Sequence, residues 1–170
     1  MSARRPSNPD TGLEPIDPWK SEHLTISRRN LPHLAVPGAT YFITFRAKGE
    51  LSPAARGVVF ATICACDQQS IDLEAAVVVM PDHVHLIFRL IHPSQMSQVL
   101  QRIKGRSARR INRLLKSQGS VWSDESFDHI IRHADELEEK LEYVRQNPLT
   151  RGLVECPDDY RWLVIKRITG

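Results

Sequence analysis

Apolar positions along the chain fall into two rhythms, and the switch between them marks out the elements. After the Pro37-Gly38 turn, "TYFITFR" is β-branched and aromatic enough for a first strand. "SPAARGVVFATICACDQQ" opens with Ser-Pro, a helix-start pair, and predicts the first helix. "IDLEAAVVVMP" and "HVHLIFRL" predict strands two and three, so close together that they must form an antiparallel hairpin. "SQMSQVLQRIKGRSARRINRLLKSQG" is a long amphipathic helix that Gly119 is expected to end, and a short fourth strand follows around residues 127–131. "ADELEEKLEYVRQNP" predicts a last helix, with acidic residues in its first turns and a stop at Asn147-Pro148.

The order strand, helix, strand, strand, helix, strand, helix defines an α+β class. Its first six elements give a ferredoxin-like split βαβ antiparallel sheet, with helices on one face and the other face open for a site. The seventh is an additional C-terminal helix. Residues 1–20 carry four prolines and little apolar material, so a flexible segment is expected over residues 1–27, with Trp19 loosely held. A tail is expected over residues 157–170.

Length and composition narrow the class further. The 170 residues suit one domain with a real core, and 41% hydrophobic with 25% charged residues matches an ordinary soluble protein. No apolar run approaches the ~20 residues of a membrane span, and the N-terminus lacks an apolar signal core, so a cytoplasmic protein without membrane contact is expected. Three cysteines are an odd count, read as buried reduced thiols, with Cys64 and Cys66 pointing apart on one helix.

The third strand carries the first candidate chemistry. His83 and His85 are two apart, so both imidazoles point to one face while Val84 and Leu86 point to the other. Two such rings can converge on a divalent ion if a third ligand arrives from elsewhere, and otherwise they are polar residues of a solvated sheet face. The last helix offers the missing groups, because Tyr143 and Asn147 are four apart and share a helix face. An oxygen ligand and a phenol against the imidazoles would let His83, His85 and Asn147 hold an ion and Tyr143 attack a phosphate. Spacing alone equally fits a helix in which Tyr143 packs beside Leu137 and Leu141 and Asn147 caps before Pro148. Gln146 is as good an amide ligand by chemistry.

The segments "VPGATYFITFR", "VVMPDHVHLIF", "WSDESFDHIIR" and "LEYVRQNPLTRGLV", in that order and spacing, resemble those of the REP-associated tyrosine transposases, within the HUH single-tyrosine transposases. The resemblance covers roughly residues 28–156 and implies a domain that cleaves and rejoins single-stranded or hairpin DNA. It implies a divalent ion, Mg²⁺ or Mn²⁺, and a 5′-phosphotyrosine intermediate that leaves a free 3′-hydroxyl. The family's paired histidines fall on His83 and His85, its nucleophile on Tyr143 and its third ligand on Asn147. Asp82 stands where asparagine is frequent and is left out of the ligand set.

Charge adds a surface. Residues 102–116 hold seven basic side chains and no acidic one. Arg102, Arg106, Arg109 and Arg113 fall within an arc of about 60°, opposite an apolar stripe, and with Lys104 and Arg110 they form the expected DNA-binding set. A plain solvated face is the alternative, and His129 and Arg132 fit a structural role as well as a place near the site. Two rival readings remain for the whole chain: a domesticated DNA-binding protein without cleavage, and a metal hydrolase that uses water. A monomer is expected, with a dimer as the alternative.

Overall fold

The computed structural model describes residues 39–67, 69–91 and 93–166. The lead-in expected over 1–27, Trp19 and the Pro37-Gly38 turn lie outside them. Five strands and three helices follow in order: β1 (Thr40–Ala47), α1 (Pro53–Cys64), β2 (Ile71–Val79), β3 (His83–Leu90), α2 (Met96–Leu115), β4 (Trp122–Ile131), α3 (Ala134–Thr150) and, after a 3₁₀ turn at Pro157–Asp159, β5 (Leu163–Ile165). The sheet order is β4-β1-β3-β2-β5 with antiparallel pairing between all neighbours. Its first four strands are the ferredoxin-like arrangement, and β3 is central.

Strand alternation builds two cores. One face presents Tyr41, Ile43, Phe45, Val77, Val79, Val84, Leu86 and Phe88 to α1 and α2, which contribute Val59, Ile63, Val99, Ile103 and Ile111. Trp122 closes that core by donating from Nε1 to Ser107 Oγ on α2 at 3.0 Å. The opposite face presents Phe42, Ala76, Val78, Met80 and Ile87, and it is not open. α3 packs on it through Val144, joined by Tyr160. Any site on this face therefore lies between β3 and α3.

Several boundaries differ from expectation, each for a local reason. Ser52 caps α1 by accepting from Ala55 N at 3.2 Å, and the helix stops at Cys64. Cys66 beyond it is buried, but Cys64 and Cys156 are exposed, so only one thiol belongs to the core. Helix α2 ends at Leu115 because Lys116, with φ 50°, takes the left-handed conformation expected of Gly119. Strand β4 begins five residues earlier than expected, at Trp122, since its N-terminal half pairs with the end of β1.

Helix α3 runs through Pro148 to Thr150. Proline there forfeits one bond, to the Val144 carbonyl, near an end where few bonds follow. The real stop is Gly152: at φ 65° it donates to Leu149 O at 2.9 Å, while Leu153 N donates to Pro148 O at 2.9 Å, a Schellman motif. Residues 157–165, expected within a tail, instead add β5 to the β2 edge. The Tyr160 hydroxyl fastens this segment by donating to Val79 O at 2.9 Å, and it accepts from Arg56 Nη1 at 3.0 Å.

Candidate active site between strand β3 and helix α3

Two residues, Pro81 and Asp82, turn the chain from β2 into β3, and Met80 N closes the turn on His83 O at 2.8 Å. His83 is thus the first residue of a central strand, and His85 the third. Both are buried, with exposures of 8% and 1%. Their ring centroids are 4.6 Å apart. The register places His85 between Thr44 of β1 and Val78 of β2, and His83 opposite Arg46 of β1.

Each imidazole has its Nδ1 occupied. His83 Nδ1 is hydrogen-bonded to Asp82 Oδ1 at 2.8 Å, and Arg151 at the end of α3 lies 3.2 Å from the same oxygen. His85 Nδ1 is hydrogen-bonded to Thr44 Oγ1 at 2.7 Å. His85 Nε2 is buried and makes no hydrogen bond among the described residues. When Nδ1 carries the proton, Nε2 is left with a lone pair to share. An orphaned buried nitrogen costs free energy unless something is to be bound there.

Protonation states favour such binding. Burial pushes the His85 pKa well below its ordinary value, and the charges of His83 and Arg46 push the same way. Burial also lowers the His83 pKa, outweighing the opposing pull of Asp82. Burial alone would raise the Asp82 carboxyl, but the hydrogen bond and charge of His83, with Arg151, hold it below the usual range. Both histidines are therefore neutral near pH 7, the form that ligates a metal.

Tyr143 completes the cluster from α3. Its ring lies 5.2 Å from His85 and 6.2 Å from Phe42, and Phe42 stacks on His85 at 5.5 Å, so the three rings form one cluster. Of the three tyrosines in the chain, Tyr41 and Tyr160 are buried at 2% and 5% exposure, one under α1 and α2 and the other tying down the C-terminal segment. Tyr143 is partly exposed beside the histidines.

Asn147 is buried on α3. Tyr143, Asn147 and Arg151 follow one another at i, i+4 and i+8 on one helix face. The first touches His85 and the last pairs with the Asp82 that binds His83, so Asn147 is bracketed by contacts to the histidine pair. Gln146 turns aside and donates to Glu142 Oε1 at 2.7 Å. Among the described residues no three His, Cys, Asp or Glu side chains gather to hold a metal. Two imidazole nitrogens plus the Asn147 amide oxygen form a donor set of the right chemistry for a divalent ion, and the orphaned His85 Nε2 fits it.

The basic set is elsewhere. All of α2 lies on the opposite face of the sheet from His83, His85 and Tyr143. Arg106, Arg109, Arg110 and Arg113 line an open groove of about 210 Å³ with Thr62 and Ala65 of α1, and Arg110 donates to Thr62 Oγ1 at 3.1 Å. Arg102 donates to Ser70 Oγ. Lys104 is half-buried, donates to Ser123 O at 2.8 Å, and has its pKa lowered by burial. The expected set thus divides into a groove of four arginines and two side chains held by the fold. His129 pairs with Glu136, which also accepts from Arg132 N at 3.0 Å, a tie across the β4–α3 turn.

Sequence reasoning passed over Thr44, Arg46 and Arg151. Thr44 and Arg46 were visible as polar residues two apart in an apolar strand, on the face of Phe42. Arg151 carried no signal because the helix was expected to stop before it.

Comparison with known proteins bears on the family and the fold. The family model described as "Transposase IS200 like" matches residues 57–147, more than half of the chain. A protein of Haemophilus influenzae named as a candidate REP-associated tyrosine transposase is 24% identical over 137 residues, covering 72% of this chain and 77% of its own length. The solved structure of a REP-associated tyrosine transposase bound to a REP hairpin matches with a TM-score of 0.62 at 19% identity, over 79% of this chain and 81% of that one. With the α+β sheet and the helix that carries Tyr143, these matches show that the chain belongs to the IS200-like transposase family and has the fold of a REP-associated tyrosine transposase.

Proposed function

We propose that this chain cleaves and rejoins single-stranded DNA beside a hairpin, with Tyr143 as the nucleophile. The observation that carries the reading is the phenol of Tyr143 against His85, whose buried Nε2 has no hydrogen bond among the described residues. A free phenol has a pKa near ~10, so the site must favour the phenolate. A divalent ion, Mg²⁺ or Mn²⁺, held by His83, His85 and Asn147 would polarise a phosphate oxygen and ease charge on the leaving oxygen. Thr44 and Asp82 hold the two rings through Nδ1 so that Nε2 faces the site.

In the step itself Tyr143 gives up its phenolic proton and forms a bond to phosphorus. The bond from phosphorus to the 3′-oxygen breaks, and that oxygen takes a proton to become a hydroxyl. The DNA stays joined to the protein through its 5′-phosphate, and reversal rejoins the strand. The choice of hairpin DNA follows the structural relative bound to a REP hairpin. The four-arginine groove suits phosphates of the same molecule beyond the cleaved linkage.

The test is incubation of a hairpin oligonucleotide with single-stranded flanks, with Mg²⁺ or Mn²⁺, followed by a denaturing gel. A protein-linked band that needs the ion and vanishes in Tyr143→Phe, with binding retained, is the expected result. Binding without an adduct would make the chain a DNA-binding protein that does not cut. Cleavage without an adduct would make water the nucleophile.

A further inference from the structure

Arg46 has no part in the ligand set or the nucleophile, yet it ends the strand beside the paired histidines and is partly exposed. It stands opposite His83 in the β1–β3 register, so the two side chains share a face with Cβ atoms ~5 Å apart. The β1–β4 pairing slips between Phe45 and Ala47, where Arg46 alone faces Ser123, Asp124 and Glu125, so the irregularity lies on β4 beside the end of β1. The strand end is pinned there, because Ala47 N donates to Asp82 O at 2.9 Å and Leu51 N to Pro81 O at 2.6 Å. Arg46 is therefore held against the turn that delivers His83.

Charge gives the position its meaning. The positive charge of Arg46 bears on both His83 and His85. Arg151 bears on His83 from the other side. The carboxylate beside them, Asp82, is engaged by His83 and Arg151. Cations fixed beside two neutral metal ligands are repelled by the ion unless an anion sits among them. A guanidinium is also the group best shaped to meet two oxygens of a phosphate.

We infer that Arg46 contacts the non-bridging oxygens of the phosphate that Tyr143 attacks, fixing it in the site and countering the charge that builds on those oxygens. This rests on the cleavage reading above. Arg46 is then a catalytic residue in its own right, one that acts with or without the metal.

The test uses a hairpin oligonucleotide whose cleaved linkage has been mapped by the wild-type adduct. A second version carries a neutral methylphosphonate at that linkage alone. Binding of both is followed by fluorescence anisotropy in EDTA, in a Tyr143→Phe background, so that neither metal nor cleavage contributes. Arg46→Ala should weaken binding of the phosphate version about tenfold, lower its salt slope by about 0.7, and change binding of the methylphosphonate version less than about twofold. Arg46→Lys, which keeps the charge, should retain most of the slope. Arg46→Gln, closer in shape, should behave like Arg46→Ala if that variant proves unstable. Equal losses on both oligonucleotides, or no loss on either, would overturn the assignment while leaving Tyr143 cleavage standing. Failure of the wild type to form any adduct would remove the cleavage reading, and this inference with it.

Discussion

His85 carries the tension of the site: a titratable ring buried at the centre of a sheet, with one nitrogen bonded to Thr44 and the other without a hydrogen bond among the described residues. Because burial lowers the pKa of His83 and His85, the folded protein keeps them neutral where the unfolded chain, titrating near 6.5, takes up protons. The stability they lend is complete above the unfolded value and is lost as pH falls through the folded values. Each proton taken up only on unfolding costs about 1.4 kcal/mol per pH unit, so melting in EDTA should drop between about pH 7.5 and about pH 5.5. His85→Gln should flatten the profile by about one proton's worth. An unchanged slope would mean that His85 is not held neutral by burial. On α3, the bracketing of Asn147 predicts that Asn147→Ala loses activity that partly returns as Mn²⁺ is raised, while Gln146→Ala titrates like wild type. Metal titration of cleavage checks this, and a defect confined to Gln146→Ala would redraw the register of α3. The sequence made His83, His85, Tyr143 and Asn147 readable because period-two and i, i+4 spacing put each pair on one face. It left Thr44 and Arg46 unread because their role depends on which strand lies beside β3, a tertiary fact.

At the scale of elements, strand and helix types were legible and their ends were not. Pro148 looked like a stop, yet one missing bond near a helix end is tolerated, and Gly152 supplies the left-handed residue that ends α3. That extra turn is what delivers Arg151 to Asp82. The three residues of β5 were too short and too weakly patterned to announce a strand, and only the exposed β2 edge explains them. Truncation after residue 156 should therefore do more than trim an end. It removes β5 and the Tyr160 hydroxyl bonds, and should lower the melting temperature and promote association through the bared β2 edge. Tyr160→Phe should cost about 1 kcal/mol, since it leaves Val79 O and Arg56 short of a partner. A truncated protein that melts like the full chain would show that the segment is only a tail.

For the whole molecule, the sheet separates two surfaces that the sequence could not place relative to each other. Helical periodicity revealed that the arginines share a stripe, but not that the stripe packs against α1, with the sheet between it and Tyr143. This division predicts that the groove binds and the other face reacts. Arg106→Ala/Arg109→Ala should weaken binding and lower the single-strand salt slope by about 1.4, about 0.7 for each lost phosphate contact. The rate of adduct formation at saturating DNA should stay as in wild type. An unchanged slope would make the groove a solvated surface, and a lower rate at saturation would tie it to the chemistry. The central claim concerns one oxygen atom, and mass spectrometry can find it. After reaction with hairpin DNA and Mn²⁺, nuclease and trypsin should leave a nucleotide on the peptide "LEYVR", residues 141–145, attached through a phosphate at Tyr143. A nucleotide on a peptide bearing Tyr41 or Tyr160, or cleaved DNA with no modified peptide, would contradict the account.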